Sequence, residues 1–405
     1  MLRTRQIVST LSLLAAAIPA GAGTIAGPFD LSVTPPEHKR MIDPQTGAEL
    51  LFLATGPGED RNLYCEQRSW LADSSMILFH LGRRNGGLTG YLTKTGELVR
   101  LTTPNGTFAG VTAARNRNSI FGVQNGKLVE LSLEIHPSDQ LLKTPSRVRG
   151  AERVICRLGP VYRSLSGALT ESCDGKYLSL ATGGGPEEVV HVLIVNIETG
   201  AIREVRRVKA ADFHGHVMFS LTNSNLLSYK GEKDTVLEVV DLRTGGTVFR
   251  QGFQPKVELA THHCWWVNDT ITFCGGFHRG PNEDSDVKIL NIYTGQIRII
   301  GRGSWWPGGT PSELAAYNWW HAAGHESGRW VAADNWHGDI GLFHGRTTRT
   351  YILTNGHRTY GGGAHPHVGW DRKGQQVIFA SHLLGGVHVC VATIPKQWQD
   401  DWEKP

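Results

Sequence analysis

A repeated motif constrains the fold of this sequence more than any other feature. Each copy is a strand that ends in a Thr-Gly turn and is followed by a second strand. In chain order the turns fall at Gly47, Gly96, near Pro137, Gly200, Gly245, Gly295 and Gly345. The copies near Pro137 and at Gly345 are degenerate. The turns are spaced about 50 residues apart on average, which is the length of one four-stranded propeller blade.

The segments between these turns point to the same architecture. Each contains a loop, a strand, a polar turn rich in Asp, Asn and Gly, and another strand. The 49 glycines and 18 prolines also favour short strands joined by turns over long helices. We therefore predict an all-β chain that forms a single seven-bladed β-propeller over residues 41–397. The alternative is a pair of β-sandwich domains, which the repeat count and the lack of a linker disfavour.

The two ends of the repeat array are incomplete in complementary ways. The strand at Gly47 precedes any complete blade, and the strands within residues 364–393 lack a fourth partner. Pairing of these N-terminal and C-terminal strands would close the ring and remove a free sheet edge. Residues 23–40 are predicted to be an extended leader, and residues 398–405 a short polar tail.

The N-terminus has the pattern of a secretory signal. Arg3 and Arg5 are followed by a largely apolar stretch over residues 7–19 and by small residues at positions 20–22. The alternative, a membrane anchor, is disfavoured because the apolar stretch is too short to span a bilayer comfortably. We predict that residues 1–22 direct export to the periplasm or the extracellular medium.

Cysteine usage and charge exclude several classes of protein. The six cysteines include no CxxC pair, which argues against a zinc finger or a dense disulfide framework. Cys264 and Cys274 could face each other across a hairpin, although buried thiols explain them equally well. The formal charge of +4, without a basic stripe, does not indicate nucleic-acid binding. We expect no membrane contact after processing, and a monomer.

Histidines carry the strongest indication of chemistry. The sequence has 18, and an informative subset recurs where the chain enters the predicted innermost strand of a blade. These residues are His214, His216, His262, His263, His321, His365 and His367. Innermost strands line the central channel of a propeller, so four successive blades are predicted to bring imidazoles to one channel mouth. The alternative is that each histidine packs separately in the channel.

Three of these histidines have the spacing of a metal site. His365 and His367 project to the same side of a strand, because side chains alternate along it. His321 from the preceding blade would complete three ligands and leave positions open for substrate, as catalytic metal sites do. Imidazole is a common ligand for manganese, zinc, iron and nickel.

Exposed aromatic residues and missing motifs refine this prediction. Trp305 and Trp306 lie in a loop rich in Gly and Pro ahead of His321, and they are candidates for stacking on a sugar. The other Trp pairs, at 265–266 and 319–320, are expected to pack between blades. No GxSxG nucleophile motif is present, and the glycine-rich stretches do not follow the strand–helix pattern of phosphate sites.

Around these histidines the sequence resembles the oligogalacturonate lyases, polysaccharide lyases built on a seven-bladed propeller. The resemblance is carried by ATHHCWWVND, HAAGHESGRWVAADN, AHPHVGWDRKGQQVIFASHLLGGVHVCVATIP and, in the opening blade, DPQTGAELLFLAT and RNLYCEQRSWLADSSMILF. It covers most of residues 41–397. It implies β-elimination of uronate-containing oligosaccharides with a divalent metal, manganese first, with zinc or calcium as alternatives. By matching motif, His321, His365 and His367 would be the ligands and His263 the catalytic base.

Two departures from the family pattern leave parts of the site open. The family's fourth ligand, a glutamine, corresponds to Gly362 here. The family's arginine near the base also has no counterpart, and we assign its role to Arg279, with Arg68 and Arg163 as alternatives. His216, His262, Trp305 and Trp306 are predicted to bind substrate.

Other functions stay open at this point. Ulvan lyases are a second resemblance, since they can use a histidine and a tyrosine on a propeller with a structural metal; Tyr162 or Tyr317 would then be the tyrosine. A non-enzymatic binding propeller would need neither a metal nor grouped channel histidines. A metal-dependent hydrolase would need carboxylates at the mouth, where Glu66 is the main candidate.

Overall fold

The computed structural model of the protein describes residues 25–83, 86–139, 144–162, 164–183, 189–231, 236–251, 261–275, 285–303, 318–335, 337–358 and 365–401. Their strands form seven antiparallel sheets, which are the blades of a β-propeller. The predicted all-β, seven-bladed fold is confirmed. Among the described residues no helix is both long and apolar enough to cross a membrane.

The first half of the chain supplies four strands that complete other sheets, and then blades 1 to 3. The leading strands are β1 (Ile25–Leu31), β2 (Val33–Thr34), β3 (Lys39–Ile42) and β4 (Glu49–Phe52). Blade 1 contains β5 (Arg61–Asn62), β6 (Met76–Leu81), β7 (Gly87–Leu92) and β8 (Leu98–Arg100). Blade 2 contains β9 (Ala109–Ala113), β10 (Ser119–Gln124), β11 (Lys127–His136) and β12 (Arg147–Arg157). Blade 3 contains β13 (Ser164–Leu165), β14 (Thr170–Glu171), β15 (Tyr177–Gly183), β16 (Val189–Asn196) and β17 (Ile202–Lys209).

The second half supplies blades 4 to 7. Blade 4 contains β18 (Gly215–Phe219), β19 (Leu226–Gly231), β20 (Val236–Asp241) and β21 (Thr247–Arg250). Blade 5 contains β22 (Thr261–Trp265), β23 (Thr270–Gly275), β24 (Asp286–Asn291) and β25 (Ile297–Gly301). Blade 6 contains β26 (Trp319–Gly324), β27 (Trp330–Asn335), β28 (Ile340–His344) and β29 (Thr350–Thr354). Blade 7 contains β30 (Gly369–Trp370), β31 (Gln376–Ser381) and β32 (His388–Thr393), joined by β4 and β3. Short 3-10 turns at Pro160–Tyr162 and Ala210–Asp212 flank blade 3, and helix α1 (Lys396–Asp401) follows blade 7.

The ring closes as predicted, by pairing the two ends of the chain. Strand β4 pairs with β32, so that Leu51 lies opposite Val391. Apolar side chains from both ends share one core cluster, which includes Phe52 and Phe379. The closing sheet therefore joins the two ends of the chain.

The N-terminal residues predicted as a leader are extended, and the structure incorporates them into sheets. Strand β1 pairs with β12 at the outer edge of blade 2, and β2 pairs with β8 in blade 1. A paired outer edge leaves fewer unsatisfied backbone groups available to other chains. At the other end, part of the predicted polar tail lies in α1, where Trp398 packs on Tyr351 with ring centroids 5.0 Å apart.

Two of the predicted turns, at Gly47 and Gly345, differ in the structure from the other copies of the motif. The Gly96 turn joins the third and fourth strands of its blade, whereas the Gly47 turn joins the fourth and fifth strands of blade 7. In blade 6 the left-handed turn residue is Thr348, with φ of 58°, and Gly345 is not in that region. A Cβ atom on Gly345 would clash with Trp266, so packing explains this glycine.

A buried polar network joins the last strand of blade 6 to blade 7. Ser381 Oγ lies 2.7 Å from His357 Nδ1, and Thr354 Oγ1 lies 2.7 Å from His357 Nε2. Thr354 Oγ1 in turn donates to Asp43 at 2.6 Å, in the turn that connects β3 to β4. All four side chains are buried, so this network is structural.

The buried His357 predicts loss of stability in acid. Burial lowers its pKa from 6.5 to about 4, so the unfolded chain binds a proton that the folded chain does not between these pH values. Stability is therefore greatest above pH 6.5 and falls as the pH drops toward 4. From pH 7 to pH 5 we expect a loss of about 2 kcal/mol from this residue. Urea denaturation at both pH values should show a smaller loss in His357→Gln; an equal loss would contradict the assignment.

Candidate metal centre at the channel mouth

Bulges at the start of the innermost strands direct the histidines into the channel. The pairing register shifts between Gly215 and Met218 in blade 4 and between Thr261 and Cys264 in blade 5. A third shift lies between residues 319 and 322 in blade 6. A bulge changes the side to which a strand residue points. The predicted approach of histidines from successive blades is seen for these three blades: the ring centroids of His216 and His262 lie 5.7 Å apart, and those of His262 and His321 lie 4.3 Å apart.

Backbone conformations at the mouth are unusual as well. His216, His262 and His367 have φ values of 54°, 47° and 48°, in the left-handed region that non-glycine residues rarely adopt. This strained conformation persists only where the surrounding fold holds it in place. Residues that adopt it are found more often in functional sites than elsewhere.

The three histidines predicted as metal ligands lie together. His321, His365 and His367 each offer one nitrogen, and these nitrogens lie within 4.8 Å of one another. His321 Nδ1 lies 2.8 Å from Asp334 Oδ2, whereas its Nε2 is buried and has no hydrogen-bond partner among the described residues. A metal-binding histidine typically donates one ring N–H to a carboxylate or similar acceptor and binds the metal through its other ring nitrogen. The residues present therefore fit a divalent metal.

Asp334 organises this group beyond its contact with one imidazole. It also accepts hydrogen bonds from the backbone N–H of His321 at 2.7 Å and of His367 at 3.3 Å. Burial, followed by the neighbouring His321, lowers the pKa of both His365 and His367. Both imidazoles are therefore neutral near pH 7, the state in which they can bind a metal.

Replacing Asp334 with asparagine tests its role in orienting His321. The amide keeps the size but loses the negative charge, so we expect metal affinity to fall about 10–100-fold, as for other outer-sphere partners. Isothermal titration with Mn²⁺ measures this change, and thermal melting without metal checks that the fold is retained. Unchanged affinity would show that Asp334 has only a structural role.

His262 lies next to the three candidate ligands. Its ring centroid is 4.3 Å from that of His321 and 5.1 Å from that of Trp320, and its Nδ1 is 2.7 Å from the hydroxyl of Tyr64. Its side chain is partly exposed. Trp320, expected to pack between blades, thus faces the site, whereas Trp265, Trp266 and Trp319 are buried as expected.

His263, predicted as the catalytic base, is buried between blades 4 and 5. Its side chain is 0% exposed, and its Nε2 is 3.3 Å from Ser228 Oγ in the neighbouring blade. The bulge in β22 turns His262 toward the mouth and His263 into the protein. The buried imidazole of His263 is not accessible to a sugar in this structure, whereas His262 is partly exposed beside the candidate ligands.

A segment of blade 1 leaves its sheet and contacts residues of other blades, which the sequence pattern did not indicate. Strand β5 ends at Asn62, and ladder pairing resumes only at Trp70. Between them, residues 64–68, here called the channel segment, contact different blades. The partners are His262 for Tyr64, Cys264 for Cys65, His216 for Glu66, Val111 for Gln67 and Glu171 for Arg68.

Tyr64 and Glu66 place this segment in the site itself. The Tyr64 ring centroid lies 4.7 Å from that of His367 and 5.4 Å from that of His216. Glu66 Oε2 lies 3.1 Å from His216 Nδ1, so this carboxylate is engaged by an imidazole. The motif RNLYCEQRSW carries part of the family resemblance, but its residue pattern does not show that it leaves its sheet.

A surface cleft beside the three candidate ligands is lined by the positively charged side chain of Arg61. The cavity, of about 250 Å³, is lined by Arg61, Tyr64, His80, His365 and His367, among others. The Arg61 side chain is 60% exposed and lies 3.9 Å from Glu59. Arg61 is therefore available to a carboxylate that binds next to the three histidines.

Other predicted site residues lie elsewhere or outside the described residues. Arg68 forms a 3.2 Å ion pair with Glu171, and Tyr162 packs on His191 in blade 3 with centroids 5.2 Å apart. Neither belongs to the histidine group. Arg279, Trp305, Trp306, Gly362, Arg163 and Tyr317 lie outside the described residues, so their roles stay predictions.

Comparisons with known proteins agree with this architecture. No protein-family profile and no curated protein sequence matches the chain. An oligogalacturonate lyase in complex with manganese superposes with a TM-score of 0.68 at 15% identity, over 91% of this chain and 98% of that one. The oligogalacturonate lyase of Vibrio parahaemolyticus gives the same TM-score and identity, over 91% of this chain and all of the other. A β-propeller domain from Myceliophteria thermophila gives 0.52 at 10% identity, over 84% and 100% of the chains. The resemblance to oligogalacturonate lyases thus holds at the level of the whole fold.

Proposed function

We propose that this protein is a lyase that cleaves uronate-containing oligosaccharides or polysaccharides by β-elimination. One observation carries the proposal: His262 lies beside three histidines that fit a divalent metal. The proposal is also supported by the fold shared with the oligogalacturonate lyases. We propose manganese as the metal, because it is the ion in one of these lyases.

The chemistry of β-elimination requires the groups found at this mouth. The proton next to a carboxylate is weakly acidic, so its removal needs stabilisation of the negative charge that develops. His321, His365 and His367 would hold a divalent metal, which would supply that stabilisation to the substrate carboxylate. Arg61, in the adjoining cleft, can bind a second carboxylate of the oligosaccharide.

His262 is the base in this proposal. Its Nδ1 faces the Tyr64 hydroxyl at 2.7 Å. If the ring hydrogen is on Nδ1 and is donated to the Tyr64 oxygen, Nε2 carries the lone pair that accepts the substrate proton. Tyr64 can then donate its own hydroxyl hydrogen toward the departing glycosidic oxygen.

Absorbance in the ultraviolet tests the reaction directly, because β-elimination creates a conjugated double bond. Purified protein is mixed with oligogalacturonate or with an ulvan digest, each with Mn²⁺ and with EDTA. A rise with one substrate that EDTA abolishes would establish the reaction class and the sugar. A flat trace on both substrates with metal bound would contradict the proposal for these sugars and favour the hydrolase.

A lyase of the ulvan type is the second candidate, favoured by the contact between Tyr64 and His262. A tyrosine and a histidine would then act as acid and base, with a structural metal. An absorbance rise on ulvan that survives EDTA would support this alternative. A flat trace without bound metal would instead favour a binding module.

We also propose that the protein acts outside the cytoplasm, on the basis of the signal-like residues 1–22. Fractionation of a bacterial host that expresses the full chain, together with N-terminal sequencing of the product, tests this. Cleavage after position 22 with recovery outside the cytoplasm is the expected result. An intact N-terminus in the cytoplasmic fraction would contradict it.

A further inference from the structure

Two cysteines from distant parts of the sequence meet in the channel. Cys65 and Cys264 are 199 positions apart, yet their Sγ atoms lie 3.1 Å from each other. Both are thiols in this structure. The pairing considered from the sequence, Cys264 with Cys274, is not the one observed: Cys264 lies opposite Thr272, and Cys274 lies opposite Thr261.

The two thiols differ in their exposure to solvent. Cys264 lies on β22 and is 4% exposed, whereas Cys65 belongs to the channel segment and is partly exposed. Both line a cavity of about 110 Å³. A small disulfide reagent can therefore approach Cys65 first, with Cys264 in position to attack next.

We infer that Cys65 and Cys264 form a disulfide cross-link that fastens the channel segment to blade 5. The signal-like residues 1–22 predict export, and disulfides persist in compartments outside the cytoplasm. The neighbours of Cys65 in the segment, Tyr64 and Glu66, contact His262 and His216. The cross-link would therefore hold the segment where it meets the histidines.

The reaction is a thiol–disulfide exchange with a small disulfide such as oxidised glutathione. The Cys65 sulfur attacks one glutathione sulfur, giving a mixed disulfide and one glutathione thiol. The Cys264 sulfur then attacks Cys65 Sγ and releases the second glutathione thiol. The two cysteine protons end on the two released thiols, so the protein pair is oxidised and one glutathione disulfide is reduced. Burial raises the pKa of the Cys65 thiol, and alkaline pH should accelerate the exchange.

Mass spectrometry of the full chain tests the cross-link. The reduced protein is incubated with oxidised glutathione at pH 8.5, denatured and alkylated with iodoacetamide. Of the six cysteines, we expect four to be alkylated and a peptide pair to link Cys65 to Cys264. Alkylation of all six, glutathione retained on Cys65, or a link between other cysteines would overturn the inference.

Matched variants separate the cross-link from general effects of the oxidant. Reduction should lower the melting temperature of the oxidised wild type by about 5 °C, because the Cys65–Cys264 disulfide closes a long loop. Cys65→Ser should show no such response, and Cys173→Ser, which removes a thiol outside the pair, should respond as the wild type does. A response that persists in Cys65→Ser would contradict the inference. Neither readout requires lyase activity, so failure of the proposed function would leave this result unaffected.

Discussion

His321→Ala should abolish tight binding of the divalent metal and lower the rate of β-elimination at least about 10³-fold, more than the loss of an outer-sphere partner. His321 is the most buried of the three candidate ligands, and its Nε2 has no hydrogen-bond partner among the described residues. Alanine also leaves Asp334 buried without its imidazole partner. The remaining pair, His365 and His367, offers too few ligands for a well-defined site.

Calorimetric titration with Mn²⁺ and the ultraviolet assay measure the two effects separately. His325→Gln is a matched control, because His325 is on the same segment of chain, 5% exposed, and packed against Trp370. It should keep metal affinity and activity within about threefold. If His321→Ala binds Mn²⁺ as tightly as the wild type, the metal lies elsewhere and the proposed centre is wrong.

The fold could be predicted because its signals are local and repeated. A strand pair with a turn at Gly96, Gly200 or Gly245 has the same physical cause each time, a left-handed residue that glycine adopts easily. Repetition then compensates for weak copies such as the one at Gly345, where Thr348 takes the turn position. Ring closure was predictable for a similar reason, since the two ends of the array lacked complementary strands.

The candidate site was only partly predictable, because it depends on departures from regular strands. His365 and His367 do lie together, but the prediction that they share a face of a strand was wrong: both precede β30, and His367 has a left-handed φ of 48°. Side-chain alternation also could not place the bulge that exchanges His262 with His263. Nor could it show that residues 64–68 leave their sheet, since their contacts with other blades are all distant in sequence. Tyr64 and Trp320 were missed for these reasons.

Paired variants of the adjacent histidines give the sharpest test of the bulge and of the proposed base. His262→Gln should lower kcat about 10²–10⁴-fold, the usual contribution of a general base. Mn²⁺ affinity should change little, because His262 is outside the group of three ligands. The lost proton acceptor affects the chemical step more than binding, so KM should change less than kcat.

His263→Ala should have the opposite profile. It removes a fully buried ring that packs against Ser228, so we expect a loss of stability of about 2–4 kcal/mol with kcat of the folded fraction reduced less than about fivefold. Urea denaturation and initial rates at a temperature where the variant is folded measure the two quantities. If His263→Ala instead loses kcat while His262→Gln retains it, the base is His263, as the family resemblance implied. The inner strand of blade 5 would then have to present a different face to the channel than the structure shows.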